Sequence, residues 1–157
     1  MTPHVWVARD QDVDAVSELL AAFRDWLERE EPTDDAIRRT AGALVQDPKT
    51  EFVLGATDRD APPAGVCQLR YRLSVWTGAD DCWLEDLYVR DQARRGGIGR
   101  ALVDAAVERA QARGCRRIEL DVNEANSAAL GLYRSRGFST EPKPPGRALL
   151  LARLLDG

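Results

Sequence analysis

The chain has 157 residues, a formal net charge of −4, three cysteines and one histidine. That length suits one domain around one core, and 44% apolar with 31% charged residues is the composition of a soluble globular protein. Lys49 and Lys143 are the only lysines, His4 stands alone near the N-terminus, and Cys67, Cys82 and Cys115 form no CxxC pair, so a phosphate-loop lysine, a histidine-centred triad and a zinc site all lack their residues.

In chain order, His4–Ala8 reads as a strand. Asp10 and Asp12 precede a helix whose apolar stripe is Val13, Val16, Leu19, Leu20, Phe23 and Leu27. The acidic stretch from Glu28 to Pro32 ends it. Thr33 caps a second helix to about Gln46, with Asp34 and Asp35 in the first turn, where the helix dipole favours anions. A strand opens at Phe52, a turn covers Asp58–Pro63, and Gly65–Val75 alternates as the hairpin partner. After the turn at Gly78–Asp81, Trp83–Val89 is a fourth strand. The period then becomes helical from about Gly97 to Arg113, with Gly114 as C-terminal cap. Arg117–Val122 is a strand, Asn126–Arg136 a helix closed by Gly137, Pro142, Pro144 and Pro145 a stiff loop, and Ala148–Leu155 a final strand. The order β-α-α-β-β-β-α-β-α-β predicts a single α/β domain over 1–157, with a mixed central sheet of about six to seven strands and helices on both faces. No leader or membrane-length apolar run is evident, which makes the cytoplasm the expected compartment.

The net charge hides a pattern. Residues 10–35 hold ten acids against Arg24 and Arg29, a balance of −8, whereas residues 90–117 hold eight arginines against three acids, a balance of +5. Segregated charge speaks to ligands. In the basic part lies Arg94-Arg95-Gly96-Gly97-Ile98-Gly99-Arg100, a glycine-rich turn leading into a helix. The first amides of a helix have no internal partner and carry partial positive charge, so this is an anion cradle suited to a pyrophosphate. No GxxxxGK[ST] is present, and Leu102 stands where a GxGxxG fingerprint needs its third glycine. A second element agrees: Asn126 begins a helix and Tyr133 follows seven residues later, two turns on and on the same face.

These two segments resemble the motifs of the GNAT superfamily of acyl-CoA-dependent N-acyltransferases. Residues 94–100 are similar to its [QR]xxGxG[AG] cofactor motif, and Asn126, Ala129, Tyr133, Gly137 and Phe138 to its NxxAxxxYxxxGF helix. A narrower likeness joins Trp76-Thr77-Gly78 and Trp83–Val89 to the diamine (spermidine/spermine, thialysine) acetyltransferase branch, with Leu87 where that branch has an aromatic residue.

The resemblance implies a GNAT fold with a V-shaped splay between strands 83–89 and 117–122. It implies acetyl-CoA as co-substrate and no metal. The backbone of Leu87, Tyr88 and Val89 would pair with the pantetheine arm, and Arg94, Arg95, Gly96, Gly97, Ile98, Gly99 and Arg100 would hold the pyrophosphate. Asn126 would hold the arm or a water beside it. Glu85 is the candidate base and Tyr133 the acid for the leaving thiolate. Asp86 would point away from the site in a regular strand. The acidic 28–35 stretch, Asp80, Asp81 and the faces of Trp26, Trp76 and Trp83 suggest a small cationic amine as acceptor. Alternatives are a protein lysine or N-terminus, an aminoglycoside, or a non-catalytic acetyl-CoA-binding regulatory module. A homodimer fits the family habit; neither nucleic acid nor membrane is expected as partner.

Overall fold

Alternating apolar residues build a five-stranded sheet ordered β1 (His4–Val7), β2 (Thr50–Ala56), β3 (Gly65–Leu73), β4 (Asp80–Val89) and β5 (Ile118–Glu119). This computed structural model describes residues 2–140, 145–146 and 148–156. β1 to β4 are antiparallel neighbours, and β5 joins β4 in parallel. Helices α1 (Val13–Trp26) and α2 (Asp34–Gln46) cover one face, over a core that includes Val16, Leu19, Phe52, Leu54 and Tyr88. Helices α3 (Ile98–Ala112) and α4 (Ser127–Ser135) cover the other, over Cys67, Leu69, Leu84, Leu102 and Tyr133.

The helix limits follow local chemistry. The Thr33 hydroxyl accepts from the Ala36 amide at 3.2 Å and starts α2. Gly114, at φ +84°, closes α3 in the left-handed conformation that glycine adopts without penalty. At the start of α1, Asp12 instead accepts from the Arg9 amide at 2.9 Å, after a single 3-10 turn over Asp10–Asp12.

Two further glycines set the depth of α3. A Cβ on Gly55 or Gly65 would lie 2.9 or 2.8 Å from Ile98 Cγ2. Their absence lets Ile98 and Leu102 seat fully on the β2–β3 hairpin, a burial that contributes about 1.5–3 kcal/mol per side chain.

Strand β4 is irregular. Gln68 faces Asp86 and Leu69 faces Leu84, so Glu85 is the extra residue of a bulge. Before the bulge Cys82 and Leu84 point to the α3 side. After it Leu87 and Val89 do, and Asp86 and Tyr88 turn toward α1 and α2.

The sheet also ends sooner than the sequence pattern suggests. β5 pairs with β4 only at Cys82–Ile118 and Trp83–Glu119, because the chain then turns at Asn123, whose side chain accepts from the Ala125 amide at 2.9 Å. The expected final strand is absent: 148–156 carries neither helix nor strand, and Leu149, Leu150, Leu151, Leu154 and Leu155 are 70–97% exposed. Among the described residues, five strands therefore stand where six to seven were expected. A two-residue β5 offers almost no ladder for a sixth strand to extend. In the proline loop, Pro142 and Pro144 lie outside the described residues.

Candidate active site

The turn from β4 into α3 is shaped to receive an anion. Arg95 (φ +71°) and Gly97 (φ +85°) are left-handed residues separated by Gly96, a backbone alternation that gathers amides into a concave nest. The first helical hydrogen bond shown here runs from the Ala101 amide to the Gly97 carbonyl at 3.0 Å, so the amides of Ile98, Gly99 and Arg100 stand at the positive end of a fifteen-residue helix without helical acceptors. A Cβ on Gly99 would come 3.3 Å from Leu132 Cδ2, so glycine there lets α4 pack close to the start of α3. Arg95 and Arg100 are exposed and form no ion pair among the described residues.

Arg94 is placed differently. Its Nε donates to the Val89 carbonyl at 3.0 Å and its Nη1 pairs with Asp91 at 2.9 Å. Its guanidinium lies 5.4 Å from the Trp26 ring centroid and 6.0 Å from that of Tyr88. Phe23 stacks on both rings. Arg94 thus ties this turn to the end of α1.

Beyond Trp83, β4 has no strand partner on its β5 side among the described residues, so Leu87, Tyr88 and Val89 border the splay. Asn126 Oδ1 accepts from the Ala129 amide at 3.2 Å and caps α4, which leaves its side-chain nitrogen without a partner. Tyr133 is buried, with its ring edge-on to Phe138. Burial, reinforced by Cys67, Asp86 and Asp121, pushes its phenol up to about 12.

On the opposite face, a cavity of about 290 Å³ lies between α1, α2 and the sheet. Leu20, Phe23, Leu27 and Ile37 form much of its wall, and Gln68 and Asp86 bound it on the sheet side. Burial raises the Asp86 carboxyl above the usual range, and the charges of Glu85 and Asp121 add to that. Glu85 is exposed at the bulge, one residue from the cavity. The bulge, invisible in the sequence, brings Asp86 to the cavity.

Of the ten acids in residues 10–35, only Glu31 lines this cavity. Asp34 and Asp25 hold Arg24 at 2.7 and 2.9 Å. Asp80 is paired with Lys49, and Asp81 with Arg117. Neither Trp76, which is 90% exposed, nor Trp83 reaches the cavity. Cys67 and Cys82 are buried thiols pushed up to about 12 by desolvation, a poor state for a nucleophile.

The profile of the acetyltransferase (GNAT) family matches residues 13–138. The thialysine N-epsilon-acetyltransferase of Sus scrofa is 36% identical over 80 residues, which is 48% of this chain and 46% of that protein. The aminoglycoside N(6')-acetyltransferase type 1 of Klebsiella aerogenes is 35% identical over 101 residues, 57% of this chain and 66% of that protein. The chain spans about half the length of the curated relatives it matches. A solved structure from Arthrobacter sp. FB24, assigned as an acetyltransferase, superposes with a TM-score of 0.84 at 27% identity, covering 99% of this chain and 96% of that one.

Proposed function

The chain belongs to the GNAT family of acetyltransferases, and on that premise we propose that it transfers the acetyl group of acetyl-CoA to a primary amine of a small molecule, by direct attack in a ternary complex. The observation that carries this reading is the C-terminal half of β4. One strand segment borders the splay, runs into the anion nest and presents a carboxylate to a cavity.

The residues present fit acetyl-CoA. The nest at 95–100, with Arg95 and Arg100 beside it, holds the pyrophosphate. The free edge at Leu87–Val89 pairs with the pantetheine arm as an added strand would, and one amide there polarises the thioester carbonyl. Asn126 steadies the arm from the α4 side. Bound acetyl-CoA supplies an acyl group activated as a thioester.

The chain moves the protons. An alkylammonium with a pKa near ~10.4 must lose a proton before it can attack. Asp86 serves as base: it takes the proton inside the cavity and releases it to solvent at the open rim, and the charge of neighbouring Glu85 raises its basicity. As the C–N bond forms and the C–S bond breaks, Tyr133 donates to the departing sulfur. A phenol held near 12 is fully protonated at neutral pH. Because a thiol titrates near ~8.5 and is the stronger acid, Tyr133 keeps its proton and stabilises the developing thiolate by a hydrogen bond, while the second proton, shed by the nitrogen after attack, leaves through Asp86 to solvent.

A cavity of about 290 Å³ between α1, α2 and the sheet, open at its rim, has room for a small acceptor. A regulatory acetyl-CoA binder would have no use for Asp86 and Tyr133. Thermal unfolding with acetyl-CoA tests the donor site. At a hundredfold excess over Kd, stabilisation of about 2.7 kcal/mol should raise Tm by roughly 5–10 °C; an unchanged Tm would contradict the reading.

A further inference from the structure

The cavity wall carries one cation without a partner. Arg24 is held by Asp34, Asp25 and the Pro32 carbonyl, at 2.7, 2.9 and 2.9 Å. Arg29 also lines the cavity, and its guanidinium has no hydrogen bond or ion pair among the described residues. Its charge is felt by Asp86, yet the two make no ion pair. Glu31 stands unpaired on the same exposed rim.

The position of Arg29 is fixed by the backbone. Glu28 is left-handed at φ +58°, and the Arg29 amide reaches back to the Arg24 carbonyl at 3.1 Å. This helix ending normally uses glycine, so a glutamate there is held against a local steric cost. The turn delivers Arg29 to the rim.

Arg29 at the rim and Asp86 on the sheet side therefore share one apolar-walled cavity without meeting, with Glu31 unpaired beside Arg29. A plain amine or a polyamine would leave the Arg29 guanidinium unmatched. A ligand with both charges and an apolar body answers all three features, because a guanidinium matches a carboxylate through paired hydrogen bonds. Building on the acetyltransferase reading, we infer that the acceptor is a zwitterion, a small amino acid with an apolar side chain whose amine lies toward Asp86 and whose carboxylate lies toward Arg29.

The test is CoA release from acetyl-CoA with apolar L-amino acids, each beside its amide and its decarboxylated amine, with spermidine as the polycation. The free acid should exceed its matched amide and amine at least tenfold in kcat/KM. Arg29→Ala should bring that ratio close to one, chiefly through KM, and Arg29→Lys should restore part of it. Equal rates for acid and amide, spermidine as the best acceptor, or an unchanged ratio in Arg29→Ala would overturn the inference while leaving the acetyltransferase intact. Where no amine turns over, calorimetric titration of the amino acids into the CoA-saturated enzyme decides the matter: binding lost in Arg29→Ala supports the zwitterion site, and absence of binding overturns it. Failure of acetyl-CoA to stabilise the protein would instead remove the underlying reading, and the inference with it.

Discussion

Two aspartates on β4, five residues apart, are driven in opposite directions. Asp81 is 3% exposed; it accepts from Arg117 at 2.6 and 3.2 Å and from Thr77 at 3.1 Å. Those bonds hold its carboxyl below the usual range. Asp86 is half-buried against the cavity with no such partner, and burial lifts its carboxyl above that range. The strand is paired on both sides at Cys82 and Trp83, next to Asp81, and has no β5 partner beyond Trp83 among the described residues. One end of β4 is satisfied and holds the fold; the other is left unsatisfied, and that is where a ligand can complete it.

The largest effect that would break this contrast is in turnover. Tyr133→Phe keeps the ring packing and removes the donor, so kcat should fall by about 10²–10⁴-fold in a thiol-release assay. Asp86→Asn should lower kcat/KM by roughly 10²-fold. In the wild type, activity should rise with pH through the raised Asp86 value, and that limb should vanish in the variant. The stability sign is also fixed. A carboxyl whose folded pKa is raised loses stability as pH rises through that pKa, so Asp86→Asn should melt no lower than wild type at neutral pH.

Much of this was legible from residue spacing. Thr33 and Gln46 bound α2 as expected, Gly114 closes α3, and Asn126 caps α4. These are local events, decided by a side chain or glycine within one turn. The glycine-rich turn was legible for the same reason. What was not legible depends on pairing. The bulge at Glu85 is a register slip between β3 and β4, and no residue in Glu85-Asp86 announces it. The acids of residues 10–35 read as a block in sequence, but Arg24 draws Asp25 and Asp34 to itself and only Glu31 lines the cavity. The leucines of 148–155 carry a strand-like composition, yet β5 is too short to pair with them.

Smaller effects sharpen the comparison. Gly97→Ala strains a residue at φ +85°, which should weaken acetyl-CoA binding by about 5–30-fold in a calorimetric titration, for roughly 1–2 kcal/mol of strain. Asp81→Asn should lose roughly 1.5–3 kcal/mol, a drop of about 3–12 °C in Tm at neutral pH. Because the folded pKa of Asp81 is depressed, its contribution is present above the unfolded value of about 3.9 and fades as pH falls through the folded value. Glu85→Gln should be mildest, a few-fold loss in kcat/KM with a downward shift of the pH profile, since Asp86 loses a neighbouring negative charge.

The most direct measurement assays Asp81→Asn and Asp86→Asn side by side for acetyl-CoA-dependent amine acetylation, at a temperature where both remain folded. Asp86→Asn should lose about 10²-fold in kcat/KM while Asp81→Asn stays within a few-fold of wild type. Equal losses in the two variants, or a loss confined to Asp81→Asn, would contradict the assignment of chemistry to the splayed half of β4.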